Sequence, residues 1–332
     1  MKKIALGNSG LEVSAIGLGC MGLSHAYGEA MNLREIREVI MAAVDLGYTF
    51  FDTAEVYGSE HDPHHNERML GEIFGPIRDK IVLATKFGVH FEDTDDGNAT
   101  HPLITDSSPE TIRRSVEDSL HRLQTDRIDL YYQHRIDPKV EPEVVAEVMA
   151  ELVREGKILH WGISEANEAY LRRAHAVCPV AAIENRYSMM ARWHEALFPV
   201  LEELGVGFVA FSPMANGLLT ECYNAQSHFD RKTDFRAAMP QYSEESFAKN
   251  QALFDLINGL AEKHQATPAQ ISLAWMINKG IVPIPGTRKI SRLEENAGAA
   301  KIEMSAEELK RIDTALDGME MSAVFGGSKV SK

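Results

Sequence analysis

The chain has 332 residues, 44% hydrophobic and 25% charged, which fits an ordinary globular protein and is long enough for an α/β barrel of roughly 250 residues with added loops. A formal net charge of −15 argues against a surface for nucleic acid or an anionic membrane. Three cysteines (Cys20, Cys178 and Cys222) have no metal or redox spacing and cannot form a disulfide framework, so a reducing, cytoplasmic setting is expected. The opening Met1-Lys2-Lys3-Ile4-Ala5-Leu6 reaches polar Gly7-Asn8-Ser9-Gly10 before a signal-length apolar stretch forms, and no run approaches the ~20 apolar residues of a membrane span.

In chain order, residues 3–14 read as a small hairpin around Gly7-Asn8-Ser9-Gly10, placed as a lid on one end of the core. Strand-like and helix-like segments then alternate. The strand candidates are 15–19, 48–52, 81–86, 128–134, 159–164, 181–185, 208–212 and 281–285. Asn32 with Glu35, Ser108-Pro109-Glu110, and Thr267-Pro268 with Gln270 mark helix starts, the last helix closing at Gly280. Eight strands separated by helices predict parallel pairing and a (β/α)8 barrel, one domain over residues 1–332. Two segments, 87–107 and 220–246, are polar and sparsely periodic and read as long loops over the barrel mouth, the second as a cover for a ligand.

Three strand candidates end on polar residues: Asp52, Lys86 and His134. In a parallel barrel the strand ends share one mouth, so these groups should meet there, with Tyr57 a short loop beyond Asp52. A carboxylate, an ammonium, an imidazole and a phenol suit the movement of protons on and off oxygen. A free tyrosine has a pKa near 10; the Lys86 ammonium is expected to lower it, with Asp52 holding Lys86 as an ion pair and His134 orienting a carbonyl oxygen. A lysine at a strand end also suits a Schiff-base lyase, and the fold alone does not exclude a regulatory subunit.

A second group follows the last strand. Ile284-Pro285-Gly286-Thr287-Arg288 precedes Ser291-Arg292-Leu293-Glu294, which reads as a capping box, and a late barrel loop with a helix start is a common phosphate site. Gly17-Leu18-Gly19-Cys20-Met21-Gly22 matches the dinucleotide glycine fingerprint as a string, but no helix opens at once after it. Its glycines are read as letting backbone approach a ligand. Glu60-His61-Asp62-Pro63-His64-His65 reads as a solvated loop at the substrate entrance rather than a metal site.

With these residues in place the chain resembles the aldo-keto reductase family over nearly its whole length. The resemblance is carried by the glycine string, Phe51-Asp52-Thr53-Ala54-Glu55-Val56-Tyr57-Gly58, Thr85-Lys86, Asp129-Leu130-Tyr131-Tyr132-Gln133-His134, Trp161-Gly162-Ile163-Ser164, Phe211-Ser212-Pro213-Met214, and Ile284-Pro285-Gly286-Thr287 through Glu295-Asn296. It implies a barrel that binds NADP(H) and reduces a small carbonyl substrate, with Tyr57 as acid and Asp52, Lys86 and His134 as its partners. It further implies that Gly19, Cys20 and Met21 border the cofactor, and that Ser164 and Asn185, beside Glu184, hold the nicotinamide carboxamide. Phe211 would stack on the nicotinamide ring; Ser212, Pro213, Met214, Gly217 and Leu219 would follow the pyrophosphate. Gly286, Thr287, Arg288 and Arg292 would take the 2′-phosphate, with Glu295 and Asn296 near adenine. A guanidinium pair favours NADP over NAD. The chain departs from the family where Glu184 replaces a usual glutamine, Arg186 a usual acidic residue and Phe211 a common tyrosine. Arg186 shares a strand face with Glu184 and is expected to neutralise it.

Overall fold

The computed structural model describes residues 1–59, 61–92 and 102–326. Strands β1 (Lys3–Ala5) and β2 (Glu12–Ser14) form the antiparallel hairpin. The barrel strands are β3 (Leu18–Gly19), β4 (Phe50–Asp52), β5 (Val82–Phe87), β8 (Ile128–Gln133), β9 (Ile158–Ser164), β10 (Ala182–Arg186), β11 (Gly207–Phe211) and β12 (Val282–Pro283). They form one parallel sheet in the order β12-β11-β10-β9-β8-β5-β4-β3. The sheet closes on itself: Gly17 N–H donates to Pro283 O at 3.0 Å and Gly19 N–H to Pro285 O at 3.4 Å. All eight strand candidates correspond to barrel strands, and the fold is the expected (β/α)8 barrel.

This closure corrects the reading of the glycine string. A Cβ on Gly17 would lie 2.7 Å from the Phe50 ring, and one on Gly19 would lie 2.8 Å from Ile284 O. The glycines bring the first strand against the last, a packing requirement.

Helices alternate with the strands. They are α1 (Leu33–Asp45), α2 (His65–Phe74), α3 (Pro109–Arg122), α4 (Pro142–Arg154), α5 (Glu168–Val177), α6 (Phe198–Leu204), α7 (Glu244–Lys249), α8 (Gln251–His264), α9 (Pro268–Asn278), α10 (Ile290–Gly298) and α11 (Ala306–Asp317). Capping boxes at Asn32/Glu35 and Thr267/Gln270 start α1 and α9, and Ser108 caps α3. Such caps stabilise by about 1 kcal/mol each. The box expected at Ser291 does not form. Thr287 Oγ1 instead accepts from Lys289 N–H, and α10 opens two residues earlier than that box implies, at Ile290, without a side-chain cap. Segment 87–107 is also more regular than expected, since β6 (Val89–Phe91) and β7 (Leu103–Thr105) pair antiparallel; its middle lies outside the described residues.

Strand periodicity sorts the core into two parts. Phe51, Leu83, Tyr131 and Ile183 face outward into the helix layer. Phe50, Ala84, Leu130, Tyr132, Ala182, Val209 and Val282 fill the barrel interior, and Leu6, Leu11 and Val13 of the hairpin plug its lower end. Gly162 makes room in that interior, because a Cβ there would lie 2.4 Å from the Tyr132 ring.

Candidate active site

Two residues beyond the inner apolar layer, each strand turns its next inward side chain to the mouth. Phe50 leads to Asp52, Ala84 to Lys86, Tyr132 to His134, Ala182 to Glu184, and Val209 to Phe211. A buried polar ring therefore caps an apolar interior, and Tyr57 comes down onto it from the loop after β4. Lys86 in this ring is fully buried, and so is Asn66 of α2, which holds this loop through Thr53 Oγ1, Cys20 O and Ser24 Oγ.

Lys86 Nζ is the centre of the ring. It donates to Asp52 Oδ1 at 2.5 Å, Thr53 O at 3.0 Å and the Tyr57 hydroxyl at 3.3 Å, and pairs with Glu184 Oε1 at 3.3 Å. Burial alone would push the Lys86 ammonium down, but Asp52, Glu184 and Tyr57 together hold it well above its ordinary value. It therefore stays charged. Tyr57 is pushed up to about 12, because burial outweighs the lowering by Lys86, and Asp52 and Glu184 add to the rise. The expected net fall does not occur: Lys86 offsets only part of the desolvation, and Tyr57 stays protonated at neutral pH. The imidazole of His134 is held well below its ordinary range by burial, then by Arg135 and Lys86, so it is neutral. Its Nδ1 is buried without a partner, and its ring meets Tyr57 edge-on at 5.7 Å.

Two neighbours of Glu184 correct the sequence reading. Lys86, not Arg186, is the cation beside Glu184, at 3.3 Å, while Arg186 lies over the Phe211 ring at 4.9 Å and over Phe325 at 5.8 Å. Asn185 has the opposite strand parity and turns away from the mouth. Its Oδ1 accepts from Ala166 N–H, and its Nδ2 donates to Ala166 O at 3.0 Å, so it fixes the loop after β9 and is not available to a ligand. Ser164 does face the mouth, where Arg135 donates to its Oγ at 3.1 Å.

The loop after β11 begins beyond Phe211. Ser212, Ala215, Asn216 and Gly217 have φ of 50°, 48°, 60° and 102°, a run of left-handed backbone that marks a constrained functional loop. Gln241 and Tyr242 hold this loop through Ala215 O and Asn216 O. Pro213 and Leu219 are buried and Met214 packs against the core. Cys20 is likewise buried beneath the mouth, with Met21 opening a short turn behind it and Gly19 against Gly286. Arg288 donates to Tyr27 O at 3.0 Å and Glu29 O at 2.6 Å, and Arg292 pairs with Glu295 beside Cys222. Thr287 is partly exposed and Asn296 lies on the buried face of α10. Segment 220–246 packs against the loop after β3: Gly28 N–H donates to Thr233 O and Phe235 N–H to Ala26 O. Arg236 is enclosed there by Tyr27, Tyr223 and Phe229.

The sequence profile of the Aldo/keto reductase family matches residues 15–317, the whole span of barrel strands and helices just described. The chain belongs to this family. It is 39% identical to the probable aldo-keto reductase 1 of Glycine max over 98% of this chain and 91% of the other. Among solved structures it is similar to a glycerol dehydrogenase of Gluconobacter oxydans, with a TM-score of 0.84 and 27% identity over 95% of this chain and 94% of that one. It is also similar to the holo form of an aldo-keto reductase of Bacillus halodurans, with a TM-score of 0.76 and 27% identity over 98% and 99%. Membership places the chain among oxidoreductases of carbonyl compounds.

For this aldo-keto reductase the sequence reading omitted three mouth residues. His25 stacks on Tyr57 at 6.5 Å, Arg135 lies 5.9 Å over Phe211, and Tyr27 accepts from Asn216 Nδ2 at 2.7 Å. A signal was available for Arg135, which directly follows the strand candidate 128–134, whereas His25 and Tyr27 lie several residues beyond the candidate 15–19. His64 and His65 are engaged by Glu55 O and Asp62, and among the described residues no three His, Cys, Asp or Glu groups are placed to hold a metal.

Proposed function

We propose that this protein reduces aldehydes or ketones to alcohols with NADPH, Tyr57 giving the proton to the substrate oxygen. The observation that carries the reading is the Tyr57 hydroxyl, kept protonated yet bonded to a charged Lys86 that is itself anchored by Asp52. One barrel domain supplies every residue this reading needs.

The residues fit a nicotinamide dinucleotide. Phe211 offers a ring at the mouth, the Ser212–Gly217 backbone offers a tight, pre-set bend, and Arg288 and Arg292 offer cations at the far end. When bound, the cofactor supplies hydride to the carbonyl carbon. The neutral His134 borders the same space as the Tyr57 ring, so a carbonyl oxygen between them meets two groups able to hydrogen-bond it. As negative charge grows on that oxygen, Tyr57 gives up its proton, and Lys86, 3.3 Å away, stabilises the phenolate left behind. Asp52 keeps Lys86 in place throughout. Schiff-base chemistry is disfavoured, because Lys86 is held protonated and an ammonium is no nucleophile.

The test is NADPH oxidation with a panel of small aromatic, aliphatic and dicarbonyl aldehydes. Turnover is expected; tight NADPH binding without turnover of any of them would move the weight to a sensing role. The arginine pair makes a separate prediction. Arg288→Ala with Arg292→Ala should weaken NADPH binding at least tenfold and leave NADH binding within a few-fold, read by fluorescence titration. Equal losses for both cofactors would remove the 2′-phosphate assignment.

A further inference from the structure

An ammonium has three N–H bonds, yet Lys86 Nζ faces four oxygens: Asp52 Oδ1 at 2.5 Å, Thr53 O at 3.0 Å, Tyr57 Oη at 3.3 Å and Glu184 Oε1 at 3.3 Å. One acceptor is in surplus. The far oxygens of the two carboxyls, Asp52 Oδ2 and Glu184 Oε2, are both buried and neither has a partner. The two carboxyls are nonetheless brought into close contact by their shared partner, Lys86 Nζ, which lies 2.5 Å from Asp52 Oδ1 and 3.3 Å from Glu184 Oε1. If both were ionised, that contact would be repulsive in a site closed to water, with one cation for two anions. One proton between them turns the repulsion into a hydrogen bond and satisfies an otherwise orphaned oxygen.

We propose that Glu184 stands in the resting site as a neutral carboxylic acid, giving its proton to a hydrogen bond with Asp52. It is a positioning residue: it holds Asp52 on Lys86 and through them sets how firmly Tyr57 keeps its proton. Only the kinetic consequence rests on the carbonyl-reductase reading; the proton itself does not.

The groups facing Glu184 are Asp52 from β4, Lys86 from β5, Tyr132 from β8 and Tyr57 from the loop above. Tyr132 is held far above its ordinary value by burial and stays neutral. Arg186 and Arg135 are directed to Phe211, and among the described residues Lys86 is the cation paired with Glu184. Burial and Asp52 lift the Glu184 carboxyl to about 8. Because its pKa is raised, the neutral form prevails below that pH and a second anion appears above it. That anion tightens Tyr57's hold on its proton, so carbonyl reduction should fall as pH rises through the transition. A glutamine at 184 has the same shape and no such proton to lose.

The test compares wild type with Glu184→Gln by infrared difference spectroscopy between pH 6 and pH 10. The comparison matters because buried Glu55 is also pushed up, to about 7. Wild type should lose one more protonated-carboxyl band than the variant. The kcat/KM for NADPH-driven aldehyde reduction should fall in wild type to a lower plateau across the transition and stay level in the variant through pH 9. Identical infrared changes in the two proteins would overturn the proposal even if both reduce aldehydes. The extra band without any aldehyde turnover would uphold the proton and remove the carbonyl-reductase reading. Should the variant not fold, carbon-13 glutamate NMR of wild type reads the same group. A side-chain carboxyl titrating near neutral to alkaline pH, shifted by cofactor binding, supports the proposal; none other than Glu55 titrating there overturns it.

Discussion

Tyr57→Phe is expected to lower kcat/KM for carbonyl reduction roughly 10²–10⁴-fold, the range that loss of a positioned proton donor brings. The substitution keeps the ring that meets His134 edge-on and stacks with His25, so the mouth keeps its shape. It removes the one hydroxyl on Lys86 that a substrate can reach, while Lys86 retains Asp52 and Thr53 O. Cofactor affinity should therefore stay within about twofold, since Tyr57 has no contact with Phe211 or the loop beyond it. Steady-state kinetics and an NADPH titration on the same preparation check both halves. Unchanged turnover would remove Tyr57 as the acid; lost binding would give it a structural role instead.

Lys86→Met should be the most damaging change to stability. It leaves Asp52 and Glu184 in a dry site with no cation, and breaking a buried pair in this way costs about 3–5 kcal/mol. Burial raises both carboxyls above their ordinary values even beside Lys86, so in the variant each should bind a proton readily as pH falls. The folded state then binds more protons than the unfolded chain, whose carboxyls ionise near 4. The deficit against wild type should accordingly shrink toward pH 5 and widen toward pH 8, as read by urea denaturation across that range. Activity should be lost at every pH. A deficit independent of pH would mean that packing, not charge, accounts for it.

Much of this molecule was legible before its structure. The eight strands could be found because each is a short run rich in β-branched and aromatic residues bounded by helical periods. The inference that Asp52, Lys86 and His134 share a mouth needed only the rule that chemistry collects where barrel strands end. Strand parity was harder. Glu184 and Asn185 are adjacent, and which of them faces inward is settled by the register against β9 and β11, which pairs Glu184 with Ser164 and Val209. For the same reason Arg186 could be placed on the face of Glu184 but not at its actual distance, since Phe211 draws its guanidinium aside. The Tyr57 reading had the right sign for Lys86 and the wrong balance, because the depth of burial belongs to the packed structure. The glycines at 17 and 19 carry the same ambiguity: a small residue signals close approach without naming what approaches.

The central claim is transfer of hydride from NADPH to a carbonyl carbon, and deuterium transfer measures it most directly. The enzyme would be given an aldehyde and NADPH carrying deuterium at the transferable position of nicotinamide C4, and the product alcohol analysed by mass spectrometry and NMR. One deuterium on the carbinol carbon per NADPH consumed is the predicted result. An alcohol without label, or aldehyde consumed with no change in NADPH, would contradict the account.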